Sequence, residues 1–296
     1  MKVNLSESSI QKKRRRFRFG LKTLLIALTL LTVVFGCFWN YWWLPWQEQK
    51  QAVGLIRSRL GMGEGEMGDY KYEPMDDFPW WKTKLASWLG RDSVARVTTA
   101  FSDGTGTPID ISAWKGLKGV ENVGFDHALV DDLSVLKGLP RLRKFNAFQA
   151  GNNPNPGNGL EVLGECKCLE HVSLLSSFQM NDKVLDAMCN AENIRYLKFD
   201  MQEVTDLSAL KRLRHIEELT IFFNPFQPVP NFQPLESLSN LKRLTFHFHR
   251  DQHPKTLSFL ANLKQLEYFE FHSPLSEQQV AEILPELPHK CEIVIN

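Results

Sequence analysis

Histidines supply the densest set of potential metal ligands in this sequence. His247 and His249 alternate along Thr245-Phe246-His247-Phe248-His249, with His253 just after and His272 further on. Residues two apart in an extended strand share a face, so such imidazoles can approach one zinc ion. A protein zinc site needs three or four ligands, and neither a carboxylate nor a cysteine is spaced to complete this one. No metal, cofactor or catalytic residue is therefore assigned, and a histidine-based metal-dependent enzyme ranks third of three functional readings. Other chemistry-bearing motifs have plainer explanations. Cys166-Lys167-Cys168 suggests metal or redox work, but Cys166 falls where leucines recur elsewhere, which makes it a small buried hydrophobe. Gly61 to Gly68 is glycine-rich, yet no strand precedes it, no Lys-Ser/Thr follows it, and Glu64 and Glu66 would repel a phosphate. It is expected to be a flexible acidic linker. Asp76-Asp77 and Asp131-Asp132 sit among turn-forming residues and are expected to be solvated turn acids. There is no H-E-x-x-H, G-x-S-x-G or P-loop.

Charge is segregated along the chain. Residues 1 to 22 carry eight basic groups and one acid, Glu7, which leaves 27 basic against 33 acidic residues, about −6, in the remainder. That balance argues against nucleic acid as a partner of the larger part. Between Thr23 and Gln47 no residue is charged, and Leu24 to Trp39 is almost continuously apolar, long enough for one membrane-spanning helix. Trp39, Tyr41, Trp42, Trp43 and Trp46 follow as an aromatic belt, and the basic cluster before the span predicts a cytoplasmic N-terminus with the rest exported. A cleaved signal needs small residues at the cut, and no A-x-A is present. Val34-Phe35-Gly36-Cys37 half resembles a lipobox, but the bulky Phe35 and the aromatic run after Cys37 fit it poorly. Five cysteines, one inside the span, exclude a dense disulfide framework.

The elements that position the histidines emerge from self-similarity. LSALKRLRHIEELTI (207 to 221), FQPLESLSNLKRLTF (232 to 246) and LSFLANLKQLEYFEF (257 to 271) superimpose, with an apolar residue every third position and then one alternation. The frame extends upstream. Val123, Phe145, Val172, Leu197, Leu219, Leu244 and Phe269 occupy one strand position at separations of 22, 27, 25, 22, 25 and 25 residues. Residues 94 to 99 are expected to form an N-terminal capping strand and residues 291 to 295 a C-terminal one.

On these residues, 93 to 296 resemble the leucine-rich-repeat family, L-x-x-L-x-x-L-x-x-L-x-L. The resemblance implies an α/β solenoid: a curved parallel sheet with short helices or coil on the convex side. With Arg18-Phe19-Gly20-Leu21-Lys22-Thr23-Leu24-Leu25 leading into the apolar run, the chain also resembles single-pass bacterial envelope proteins, which implies the cytoplasmic (inner) membrane. The family's turn-capping Asn appears only at Asn224, the equivalent positions being Ala128, Ala150, Ser177, Gln202, His249 and Pro274. The expected organisation is a basic tail (1–22), a transmembrane helix (23–44), a juxtamembrane helix and acidic linker (45–92) and the repeat domain (93–296). In the juxtamembrane helix Ala52, Leu55, Ile56 and Leu60 are expected on the apolar face, and 82–89 are expected to form a helix that caps the first repeat.

Function then falls to strand residues that flank the buried pair and face outward on the concave side. One column reads Asn122, Lys144, His171, Tyr196, Glu218, Arg243, Tyr268, and the other Asp126, Phe148, Leu175, Asp200, Phe222, His247, His272. Tyr196, Phe222, Arg243, His247, Tyr268 and His272 are the expected partner-binding residues, because aromatic and Arg side chains dominate protein interfaces. Against this, Phe222 turning inward onto Phe223 and Phe226 would remove it from the strip. As neighbours with an ordinary pKa of about 6.5, His247 and His272 would make binding pH-sensitive. The leading reading is a non-catalytic, membrane-anchored protein-binding scaffold; the second is a structural envelope protein that self-associates.

Overall fold

The computed structural model describes residues 21–60, 70–89, 95–103, 108–127, 129–130, 132–148, 159–175, 180–249, 253–285, 287 and 291–295. The basic cluster up to residue 20, the acidic linker, and Gly90, Val94, Ala128, Asp131, Ala150 and Ser177 lie outside them. The chain divides into two compact units, Met1–Pro45 and Trp46–Asn296.

In the first unit, α1 (Leu21–Phe38) is followed by one wide π-turn, Trp39–Trp43. A helical stretch from Lys22 to Ile56 is long and apolar enough to cross a membrane, and its apolar part is not buried inside the chain. The hydroxyls of Thr29 and Thr32 donate to the carbonyls of Leu25 (2.9 Å) and Thr29 (2.8 Å), so these two polar side chains are satisfied within the helix.

Among the described residues, the second unit is built on a ten-stranded sheet. β1 (Tyr70–Tyr72) runs antiparallel to β2 (Val97–Asp103), and β4 (Asn122–Asp126), β6 (Lys144–Phe148), β7 (His171–Leu175), β8 (Tyr196–Met201), β9 (Glu218–Phe223), β10 (Arg243–His247), β11 (Tyr268–His272) and β12 (Glu292–Ile295) follow in parallel. β3 (Pro108–Ile109) and β5 (Leu129–Val130) form a separate two-stranded ladder. The expected strand position is met in full: Val123 through Phe269 are consecutive register partners, all buried.

The period of three has a direct cause. The amide of Leu210 bonds to the carbonyl of Leu207, Leu213 to Leu210, and Ile216 to Leu213, at 2.9–3.2 Å. The same chain of bonds links Leu133, Leu136, Leu139 and Leu142, and again Leu257, Leu260, Leu263 and Leu266. A turn with i→i+3 bonds has three residues per turn, so side chains three apart eclipse one another and all face the core. Stacked turns bury a continuous column of leucines that one turn alone would leave wet. The convex side is thus mostly short 3₁₀ helix, Ser208–Arg212 being one example. The connection before β8 is instead α-helical, α4 (Asp182–Met188), capped by Asn181, whose Oδ1 accepts the amide of Val184 at 2.9 Å. It packs so closely on the preceding turn that a Cβ on Gly164 would clash with the Ala187 carbonyl oxygen. The observed architecture is a leucine-rich-repeat solenoid.

Two side-chain columns stand beside the nearly absent Asn ladder. Asn224 does act as expected, its amide nitrogen donating to the Gln202 carbonyl (3.0 Å) and its oxygen accepting the Phe226 amide (3.0 Å). Elsewhere the turn starts are capped two residues upstream: Asp110, Asp132, Asp206 and Asn231 accept the amides of Ser112, Ser134, Ser208 and Gln233 at 2.7–3.0 Å. The Ser134 amide and hydroxyl accordingly hold the Asp132 carboxyl below its usual pKa, the turn role expected of it. The second column lies one residue before each strand and alternates in sign: Glu121, Arg143, Glu170, Arg195, Glu217, Lys242, Glu267. Backbone bonds join each to the next, and ion pairs link Arg143 to Glu170 (2.7 Å), Arg195 to Glu217 (3.2 Å) and Lys242 to Glu217 (2.8 Å).

The N-terminal end of the core departs from expectation. The strand expected at 94–99 runs from Val97 to Asp103 and is itself covered by β1. α2 (Leu44–Leu60) buries Ala52, Val53 and Ile56 in the repeat core, whereas Leu55 is exposed. The helix expected at 82–89 forms as α3 (Trp80–Leu89), but its buried Ala86 is not among the core residues, so α2 and β1 do the covering. The last helix, α5 (Glu277–Ile283), begins with a reciprocal cap between Ser276 and Gln279.

Candidate binding face

Alternation from β4 to β11 in the main sheet sends two side chains of each strand into the core and three to the opposite, open face, with Met201 and Phe223 as a third inward residue on β8 and β9. That face carries three columns. The first is the column from Asn122 to Tyr268, and each member is the register partner of the next. The third ends with Asp200, Phe222, His247 and His272 on adjacent strands. Between them lies a middle column, Gly124, Asn146, Ser173, Lys198, Thr220, Thr245 and Glu270. Sequence reasoning missed it, because only residues outside the buried pair were counted, although the residue between the pair has the same orientation.

Phe222, His247 and His272 form a continuous ring stack across β9, β10 and β11. Centroids are 4.0 Å apart at 4° for the first pair and 4.1 Å at 14° for the second. Phe222 therefore stays on the open face, and only its neighbour Phe223 turns inward to pack on Phe232, Phe246 and Phe248. Phe226 is 82 % exposed. Lys198 Nζ lies 5.2 Å from the Phe222 ring centre, and the Arg243 guanidinium lies 4.7 Å from that of Tyr268. Tyr196 stands apart from the stack, with its ring against His171 at 5.6 Å. Its burial and the nearby Glu218 carboxylate raise its pKa.

His272 Nε2 lies 2.9 Å from Glu270 Oε1. Burial and the adjacent His272 push His247 down to about 4, with Glu270 opposing the shift and Lys198 and His249 adding to it. The expectation that His247 responds near its ordinary pKa is thus corrected: at neutral pH its ring is uncharged. Rings stacked face to face direct their nitrogens outward rather than toward a shared point, and among the described residues no three His, Cys, Asp or Glu converge as metal ligands. Cys166 is buried as expected, its pKa pushed up to about 11 by burial and by Glu165, while Cys168 is exposed. A buried, protonated thiol is a poor nucleophile and a poor ligand.

No family model matches the chain, and no curated protein matches it in sequence. Solved structures that are similar include internalin C2 of Listeria monocytogenes, with 18% identity, 73% of this chain and 92% of that one covered, and a TM-score of 0.47. Internalin InlF of the same organism has 16% identity, coverage of 66% and 68%, and a TM-score of 0.41. TLR13, solved in complex with ssRNA13, has 19% identity and a TM-score of 0.43; 58% of this chain is covered but only 24% of that one.

Proposed function

We propose that this chain is a non-catalytic, membrane-anchored scaffold that binds another protein on the open face of its exported repeats. One observation carries the reading: Tyr196, Phe222, Arg243, His247, Tyr268 and His272 all lie on that face, five of them on three adjacent strands. Aromatic and Arg side chains supply most of the energy at protein interfaces. Here they are already held against one another, as Phe222–His247–His272 and as Arg243–Tyr268. Side chains fixed before binding lose less rotamer freedom when a partner arrives. The anchor is read from the helical stretch Lys22–Ile56, and an N-terminus in the cytoplasm from the basic cluster before it.

The full-length chain, solubilised and used as bait with envelope extract, supplies the candidate partner for a binding measurement. Tyr196→Ala and Tyr268→Ala are expected to weaken binding by about 1–3 kcal/mol each with little change in melting temperature. Undiminished affinity in the folded double variant would move the site off this face. Light scattering of the purified chain separates this reading from self-association, which requires assemblies larger than one chain at working concentration.

A further inference from the structure

We propose that the Phe222–His247–His272 stack is a proton-opened clasp: a proton taken up by His247 drives its ring off His272 and rearranges the third column across β9, β10 and β11. Two parallel imidazoles 4.1 Å apart tolerate one charge between them, but a second places like charges in face-to-face contact. The Glu270 carboxylate lies 2.9 Å from His272 Nε2 and is held on that ring.

The surroundings of His247 oppose a proton there. Titratable and charged groups on its side of the sheet are Lys198 and Asp200 on β8, Glu218 on β9, Arg243 and His249 on its own segment, and Tyr268, Glu270 and His272 on β11. The face of Phe222, 4.0 Å away, would welcome a cation, but Lys198 already lies 5.2 Å from that ring. Glu270 is engaged by His272. Burial and the neighbouring His272 dominate and bring His247 to about 4. The unfolded chain therefore holds this proton more tightly than the folded one. Stability from the neutral stack is fully present above about pH 6.5 and is lost as pH falls toward about 4. Opening exposes ring faces that the stack covers, so the binding strip has a different shape in acid. That regulatory consequence rests on the open-face reading above; the clasp itself does not.

Two measurements on the full-length chain in detergent test the clasp, and neither contains a partner, so failure here is distinct from failure of the binding proposal. In the first, melting temperature is followed from about pH 7.5 down to about pH 5, a range that spans the onset of histidine titration. His247→Phe keeps a ring in the stack but removes the proton site, and its melting temperature is expected to fall less steeply than that of the wild type. Parallel curves overturn the proposal. In the second, chain labelled with ¹³C-histidine is titrated by NMR. The His272 ring signal is expected to move in two steps in the wild type, the lower one coinciding with the titration of His247, and in one step in His247→Phe. A single step in the wild type, or two in the variant, overturns it.

Discussion

Gln49 is the buried polar side chain that joins α2 to the repeat sheet. It is 7 % exposed and bonds the backbone on both sides of residue 96: its Nε2 donates to the Ala95 carbonyl at 2.8 Å, and its Oε1 accepts the Val97 amide at 2.9 Å. A glutamine amide sets a donor nitrogen and an acceptor oxygen side by side in one plane, which is what the start of β2 requires here. Gln49→Ala removes both bonds and orphans two backbone groups beside the buried Ala52, Val53 and Ile56. Each orphan costs about 1–3 kcal/mol, and partial entry of water brings the pair to about 2–4 kcal/mol. For a domain of this size that corresponds to a fall of roughly 4–16 °C in melting temperature. The assay is thermal melting of the purified full-length chain by circular dichroism in a band reporting the sheet. Gln49→Glu sharpens it, because its carboxylate turns an acceptor toward the Ala95 carbonyl. Its pKa in the folded chain should rise above the ordinary value of about 4.3. The added penalty should then be largest at neutral pH and shrink as pH falls through that raised pKa. A Gln49→Ala chain that melts with the wild type would refute the reasoning and detach α2 from the cooperative unit.

Other substitutions probe the remaining layers by the same melting assay. Leu219→Asp puts an unpaired charge in the middle of the strand column and should cost several kcal/mol, enough to remove most folded protein; wild-type melting would mean the repeat register is wrong. Gly164→Ala forces a Cβ onto the Ala187 carbonyl and should cost about 1–3 kcal/mol, whereas Gly54→Ala, with nothing within 4 Å, should gain about 0.5–1 kcal/mol from helix propensity. Equal effects at the two glycines would contradict the close packing of α4. Glu217→Lys replaces the acid between Arg195 and Lys242 with a third cation, and its lower melting temperature should recover with added salt, as surface charge repulsion does. Lys242 and Arg195 hold the Glu217 carboxyl below its ordinary pKa, so its contribution is present above about pH 4.5 and lost in acid; a melting difference between wild type and Glu217→Gln that is unchanged into acid would count against the pairing.

Most of the solenoid could be read from sequence because its two signals are strictly periodic. Leucines three apart report the 3₁₀ turns, and one alternation reports the strand, so Val123 to Phe269 fall into register without any long-range information. The same alternation gave the outer columns of the open face, and hence the neighbours His247 and His272. What the pattern does not contain is how rings in one column meet. The stack of Phe222 on His247 depends on strand spacing and rotamers, and so does the loss of basicity at His247. The N-terminal end was obscured for a different reason. The buried face of α2 is Gln49, Ala52, Val53 and Ile56, at helical spacing, but its first member is polar and only its bonds to Ala95 and Val97 make burial tolerable. A search for apolar periodicity prefers Leu55, which is exposed. β1 is three residues long, too short to show a period at all.

The Asn ladder is nearly absent, yet four turn starts are capped, and the caps lie in a different column. Asp110, Asp132, Asp206 and Asn231 each hold an amide at the start of the next turn, two residues downstream. These caps leave the strand ends free of the obligatory amide that the family pattern places there. Position 249, one of the vacated sites, holds a histidine, and its charge is one of those that keep a proton off His247. One histidine, His249, thus stands where the family pattern has an asparagine. Glu121 to Glu267 supply the second compensation. Strict alternation of sign means that each strand start is attracted by both neighbours, whereas a slip of one whole repeat would set acid beside acid and base beside base. Register is therefore specified at the strand starts by charge and in the core by leucine, and the open face between them is left to vary from repeat to repeat.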